Sequence, residues 1–396
     1  SMSVATEWSS DNNIKWKMEL PGPGSSSPII VGDKVLVTCY TGFGVDRENP
    51  GEPAELERHL LCFSAATGEE MWRATVDSSS DEDAYTGFIV EHGYASSTPV
   101  SDGKHIFTFF GKTGVVAFDM DGNQLWQTSV GTYSDPAKWG GGASPILAGD
   151  KVIVNAGIEG HALVALNKAD GSEAWRVDDE AFTNNWSTPT LVEVDGRTEL
   201  VYSIPEKLIA FDPDTGQQLW HAKSPIQRTI TASTTVENGV VFTLGGRQGQ
   251  AIAVRCGGSG DVSDSHTVWQ SPVSSSIGTP VVIGDHMYWL ASGSIAMCLN
   301  AEDGTEVKKA RLESENAGGQ QRRPAGSYAS PIVVGDKLFF VTRNGTTHVL
   351  TADQNMEEIA VNSIEGDDSL FNATPAVSGN QMFIRSDTML YCISAE

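Results

Sequence analysis

A phrase of about 45 residues recurs along this chain, and a period of that length signals an array of small sheets rather than one continuous core. Its opening half is a Ser or Thr, usually followed by Pro. It stands at Ser27-Pro28, Thr98-Pro99, Ser144-Pro145, Thr188-Pro189, Ser233-Thr234, Thr279-Pro280, Ser330-Pro331 and Thr374-Pro375. β-Branched residues follow, then a tight turn, then a second strand-like run. Gly32-Asp33, Gly149-Asp150, Gly284-Asp285 and Gly335-Asp336 are the turns, and such dipeptides between apolar runs signal hairpins.

The closing half is as regular. Cys62, Ala117, Ala165, Ala210, Ala253, Cys298, Thr351 and Cys392 fill one small-residue slot. Two positions on stand Ser64, Asp119, Asn167, Asp212, Arg255, Asn300, Asp353 and Ser394, mostly side chains that fold back onto a turn. Gly68, Gly122, Gly171, Gly216 and Gly304 then accept a backbone that a side chain would oppose. Trp72, Trp126, Trp175, Trp220 and Trp269 come next, with Lys308 and Ala360 in that slot in two degenerate copies.

The last copy ends at Glu396 without its closing strand, while the stretch from Ile14 to Leu20, around Trp16, is a closing strand with no opening half. A ring joined by its own termini accounts for both. The predicted fold is all-β: an eight-bladed β-propeller of four-stranded antiparallel blades, with an N-terminal strand completing the C-terminal blade. It is expected to form one domain over 1–396, with Ser1-Met2 a cloning remnant and 1–12 a tail.

The run Leu208-Ile209-Ala210-Phe211-Asp212-Pro213-Asp214-Thr215-Gly216-Gln217-Gln218-Leu219-Trp220 resembles the tryptophan-docking repeat of the pyrroloquinoline-quinone-like propellers. The resemblance extends over nearly the whole chain. It implies that Trp16, Trp72, Trp126, Trp175, Trp220 and Trp269 pack between neighbouring blades, and that contacts are looser at Lys308 and Ala360. It also implies a periplasmic or secreted bacterial protein, a localisation that rests on the resemblance and not on the residues.

Composition narrows the partners. Lys and Arg number 26 against 51 Asp and Glu, a net charge of −25. Phosphate backbones are bound by Lys and Arg clusters, so a nucleic-acid partner is excluded. No apolar run approaches the roughly 20 residues of a membrane helix. The five cysteines are expected as small buried hydrophobes rather than disulfides or zinc ligands, and a monomer is expected.

In a four-stranded blade the A–B and C–D turns lie on one face and the B–C and D–A connections on the other. Here the first set is compact, apart from Cys256 to His266. The second carries the insertions at Thr41 to His59, Asp77 to Ser96, Thr132 to Gly142 and Glu313 to Ala329. Long loops on a compact domain carry function, which puts the site on the elaborated face.

The residues just before each inner strand ring the channel mouth there. They are Glu91, His92 and Tyr94; Trp139; Asn184, Asn185 and Trp186; Arg228; Arg322, Arg323 and Tyr328; Phe371 and Asn372. Aromatics, amides and guanidiniums converging on one opening suit a polar, planar or anionic ligand, or a carbohydrate. His92 beside Glu91 reads either as an acid/base pair or as a hydrogen-bonded loop histidine. Asp81-Glu82-Asp83 and the acids at 46, 48, 52, 55 and 57 are oxygen ligands suited to calcium, or solvated loops; no EF-hand spacing is present. Gly140-Gly141-Gly142 lacks the Lys-Ser/Thr of a phosphate loop.

The family's quinone-dependent dehydrogenases carry an adjacent cysteine pair under the cofactor, and this chain has none. Length and missing cofactor residues resemble instead the non-catalytic branch of outer-membrane assembly lipoproteins. The expected function is a binding or scaffold propeller that presents the long-loop face to a protein, peptide or glycan, with no cofactor and no metal. The alternatives are a calcium- and pyrroloquinoline-quinone-dependent alcohol or sugar dehydrogenase using Trp186 and Arg228, and a polysaccharide lyase or hydrolase using His92, Tyr94 and Arg228.

Overall fold

In the computed structural model, residues 3–136, 138–245, 249–273, 277–312 and 326–395 are described. Eight sheets form the ring. Blades 1 to 7 begin at the inner strands Ile29–Val31, Val100–Ser101, Ile146–Ala148, Thr190–Val194, Thr235–Glu237, Val281–Ile283 and Ile332–Val334. Blade 8 runs Ala376–Ser378, Gln381–Arg385, Met389–Ser394 and then Ile14–Glu19, so the N-terminal strand closes the ring as expected. Its register sets Trp16 opposite Cys392 and Glu19 opposite Met389.

The small-residue slot has a steric reason. Cys62, Ala117, Ala165, Ala210, Ala253 and Cys392 each lie directly across from a Trp of the outer strand. In blade 7 the residue across from Ala360 is Val349, so the seventh copy reads two residues out of register in the sequence and Thr351 is not its small slot. Thr351 instead sits where Asn167 and Asp212 do, at the turn that closes the hairpin. With Ala360 opposite, a valine fits where elsewhere Ala or Cys is required.

Two contact systems bind blade to blade. In the first, Ser27 N–H donates to Thr98 Oγ1 (2.9 Å), Thr98 to Ser144 (3.0 Å), Ser144 to Thr188 (2.9 Å) and Thr188 to Ser233 (2.8 Å). Ser233 then donates to Thr279 (3.0 Å), Thr279 to Ser330 (2.9 Å), Ser330 to Thr374 (2.9 Å) and Thr374 back to Ser27 (3.1 Å). These are the eight Ser/Thr positions of the repeat, and they form a closed belt. Each hydroxyl satisfies a backbone donor that would otherwise be left without a partner.

In the second, Trp16, Trp72, Trp126, Trp175 and Trp269 donate Nε1 to a carbonyl of the next blade, on Ala65, Met120, Lys168, Pro213 and Ala301 at 2.8–3.1 Å. Their rings lie on Gly68, Gly122, Gly171, Gly216 and Gly304, where an added Cβ would come within 2.5–2.7 Å. Each glycine also has φ between 71° and 85°. Trp and Gly are therefore one device split between two blades.

The pair fails together. Lys308 precedes blade 7, whose turn has Met356 with φ 45°, and Ala360 precedes blade 8, whose turn has Asn13 with φ 59°. At the blade 7–8 seam the N-terminal segment supplies what is missing. Trp8, 4% exposed, lies parallel to Phe339 (6.5 Å, 16°) in the core shared by these blades, and its N–H donates to Asn362 Oδ1 (2.8 Å). The stretch expected as a tail is part of the core, and the seam expected to be loose is filled. Lys308 is exposed.

Trp220 is a third exception. It packs in the core between blades 4 and 5, fully buried, but its Nε1 donates to Glu199 Oε2 (2.7 Å) of its own blade. The Cys256–His266 excursion explains this. It replaces the compact turn of blade 5, and its strand Gly260–Asp261 pairs in parallel with the outer strand Gln218–Lys223, giving blade 4 a fifth strand. Glu199 also accepts Gly257 N–H (3.1 Å) and an ion pair from Arg197.

Candidate functional site

Asp77 to Ser96 does not hang free as a loop; it is strapped down. Arg58, at the start of the third strand of blade 1, donates Nε to Tyr94 O (3.0 Å) and Nη1 to Ser78 Oγ (2.7 Å), and pairs with Glu82 (3.0 Å). Lys112, in the B–C turn of blade 2, pairs with Asp83 (3.0 Å) and donates to Asp81 O (2.8 Å). The four charged side chains are 3%, 6%, 6% and 10% exposed for Arg58, Glu82, Lys112 and Asp83, so both pairs are desolvated. Glu82 and Asp83 are thus neither solvated nor free for a cation, in contrast to the exposed acids at 46, 48, 52, 55 and 57. Tyr94 donates its hydroxyl to Asp83 O (2.7 Å), packs edge-on to Tyr40 (5.4 Å) and lies beside Phe43.

The strap ends in a one-turn helix, Ile89–His92, capped by Gly93. Gly93 has φ 72°, and a Cβ there would strike the Tyr40 ring at 2.3 Å. From this helix the contacts run around the mouth in both directions. Glu91 accepts Arg343 Nη2 on its carboxylate (3.0 Å) and on its carbonyl (3.1 Å), and that carbonyl also accepts Asn372 Nδ2 (2.9 Å). Arg343 donates Nε to Asn372 Oδ1 (2.9 Å), and its guanidinium lies 4.1 Å over the Tyr328 ring. Phe371, buried beside Asn372, stacks on Tyr391 (6.5 Å, 12°) and donates its N–H to Arg343 O (3.1 Å).

In the other direction His92 Nε2 donates to Trp139 O (2.7 Å). Nδ1 is therefore the nitrogen that accepts the Ser96 hydroxyl (2.6 Å) when the ring is neutral. Burial holds its pKa below the usual histidine value, so the neutral ring is the form at pH 7. Trp139 packs on Phe88 (4.6 Å) and on Trp186 (4.9 Å), and Trp186 Nε1 donates to Gly140 O (2.6 Å). The Trp186 N–H then donates to Ile230 O (2.8 Å). Asn185 is buried, with Nδ2 on Ser203 O (2.6 Å) and Oδ1 accepting Ser187 N–H (2.9 Å).

One continuous chain of contacts therefore links six consecutive D–A connections, carrying Asn372, Ser25, His92, Trp139, Trp186 and Ile230. His92, Tyr94, Trp139, Asn185, Trp186, Tyr328, Phe371 and Asn372 belong to this cap or its support. Arg228 lies beside it, exposed, with φ 67°. Arg322 and Arg323 lie outside the described residues. Arg343, Arg58, Lys112 and Ser25 were not among the sequence candidates; a cation inside an apolar strand pattern, as in Glu57-Arg58-His59-Leu60-Leu61, was the available sign.

A stacked quinone does not fit these residues. The Trp186 ring that would stack on it is met by Trp139, and its indole nitrogen is committed to Gly140. No adjacent cysteines exist, and among the described residues no group of three His, Cys, Asp or Glu is arranged to hold a metal. All five cysteines are buried and free.

Eight blades, a hydroxyl belt, paired Trp and Gly, and a capped loop face define a tryptophan-repeat propeller. The family model described as outer membrane protein assembly factor BamB matches residues 57–310, and the chain belongs to that family. It is 23% identical over 372 residues to the BamB of Burkholderia pseudomallei, covering 92% of this chain and 82% of that one. To the BamB of Nitrosomonas eutropha it is 27% identical over 249 residues, 59% of this chain and 52% of that one. The crystal structure of BamB from Moraxella catarrhalis superposes with a TM-score of 0.68 at 13% identity, covering 97% of each chain. The quinohemoprotein alcohol dehydrogenase of Comamonas testosteroni shares the fold, with a TM-score of 0.59 at 12% identity over 96% of this chain and 76% of that one. Among the described residues no helix is long and apolar enough to cross a membrane.

Proposed function

We propose that this chain is a non-catalytic periplasmic scaffold of outer-membrane protein assembly, which offers its long-loop face to a protein partner. The observation that carries the reading is the contrast between the faces. One is closed by short turns, except at Cys256–His266, which pairs back onto blade 4; on the other, six loops are locked into a single surface. Rigid presentation favours binding, because little loop ordering remains to oppose association. A chain of net charge −25 favours a partner with a basic contact patch. The histidine at the mouth supports the same reading, since both of its ring nitrogens are engaged within the cap.

Site-specific photo-cross-linking in the cell envelope tests this. Phe88 and Tyr133, 43% and 63% exposed, report the loop face, and Ile283, 39% exposed at an A–B turn, reports the plain face. Adducts with an outer-membrane assembly protein are expected from Phe88 and Tyr133. Adducts from Ile283 alone, or none from the loop face, would overturn the reading.

A further inference from the structure

Under the strap lies a cavity with about 40 Å³ of room for solvent, where Arg58, Glu82, Asp83, Ser97, Lys112 and Glu159 meet an apolar wall that includes Ile89, Phe109, Phe110 and Ile158. A site needs roughly 10–15 Å³ of such room per water. The Ser97 hydroxyl in its wall is buried and has no partner among the described residues.

Glu159 is the unmatched member of this set. It comes from the one-turn segment Gly157–Gly160, the B–C turn of blade 3, and is 2% exposed. Its carboxyl rests against backbone on two sides. A Cβ added to Gly141 would come within 2.2 Å of Oε1, and one added to Gly111 within 3.2 Å. Gly141 belongs to the same loop as Trp139, and Gly111 precedes Lys112.

The charges around it balance without it. Arg58 from blade 1 is paired with Glu82, and Lys112 from blade 2 with Asp83, both acids lying on the strap. Tyr202 from blade 4 faces it as a neutral phenol whose pKa is raised by burial. On its own blade Arg176 is paired with Asp178, and His161 with Glu180. A neutral Glu159 leaves two cations against two acids; an ionised one makes a third buried acid.

We propose that Glu159 is a proton-operated latch for the loop face. Protonated, it leaves Lys112 to Asp83, and the strap stays down. Ionised, it competes with Asp83 for Lys112, and the strap carrying Glu91 and His92 is released. The latch acts on the face to which function is assigned above, but it does not depend on which partner that face takes.

Burial is the first cause that raises the Glu159 pKa, to about 8 from an ordinary 4.5, with Glu82 and Asp83 adding to it. The folded chain therefore holds a proton that the unfolded chain releases. That contribution to stability falls as pH rises from about 4.5 to about 8 and is flat above.

The test needs no partner. Tryptophan emission, with Trp139 and Trp186 beside the loop, and hydrogen exchange of residues 77–99 are followed from about pH 6.5 to 9.5, with exchange corrected for base catalysis. The wild type is expected to show an emission change centred near pH 8 and a roughly tenfold rise in strap exchange across it. Glu159→Gln should remove both and flatten the decline of Tm with pH, while Lys112→Met should leave the strap loose throughout. A flat response in the wild type, or the same transition surviving in Glu159→Gln, would overturn the latch whether or not cross-linking finds a partner.

Discussion

The ring and the cap of this molecule are held together on different principles. The ring uses contacts that recur: eight hydroxyl links, and an indole laid on the next blade's glycine at five junctions. The cap uses contacts made once, among them Arg58 with Glu82, Arg343 with Glu91, and His92 with Trp139. A repeated contact shares its load with its copies. A unique one has no substitute, and losing it should open one region while leaving the rest intact.

The largest effect is therefore expected in the cap. Arg58→Met leaves Glu82 buried without its cation, and breaking such a pair costs about 3–5 kcal/mol. Hydrogen exchange should show the loss concentrated in residues 77–99, with the strands of blades 4 to 6 still protected. Loss spread evenly over all blades would mean that strap and ring fold as one unit.

Next comes the seam where the repeat is imperfect. Trp8→Ala removes the ring that covers Phe339 where Ala360 leaves room, and is expected to cost about 3 kcal/mol. Trp126→Ala at a regular junction should cost a similar amount. A much smaller loss at Trp8, measured by denaturant unfolding, would show that the N-terminal segment only rests on the ring.

The same contrast decides what was legible in the sequence. A feature written eight times can be aligned with itself, so the blades, the closing strand at Trp16 and the belt positions could be placed before any coordinates. Where a copy degenerates the self-comparison misleads, as at Thr351, which stands two residues from the small slot that Val349 fills. The cap residues His92, Trp139, Trp186 and Asn372 could be placed at the mouth by their position before each inner strand. Their partners could not be read, because Glu91 and Arg343 meet across 252 residues of chain. Nothing local marks Glu159 as buried; that follows from Gly111, in the B–C turn of blade 2, and Gly141, in the loop joining blades 2 and 3, yielding space to its carboxyl. Trp8 was hidden for a related reason, since its partner Asn362 lies 354 residues away.

The smallest effect tests whether the belt is as uniform as its geometry. Ser233→Ala removes the acceptor for Thr188 N–H at an internal junction, and Ser27→Ala removes the acceptor for Thr374 N–H where the last blade meets the first. The substitution is the same, both serines are half-buried, and the links measure 2.8 and 3.1 Å. Each should cost about 1 kcal/mol, the usual net worth of one such bond. The closing junction differs in one respect: Arg385, fully buried, also crosses it, donating Nη1 to Thr38 O (2.7 Å) and to Ser26 Oγ (3.1 Å). That second clamp should keep the joint shut when Ser27 loses its hydroxyl, so equal costs are expected. A clearly larger cost at Ser27 would mean that Arg385 does not hold the joint by itself, and that ring closure depends on the belt more there than at any internal junction.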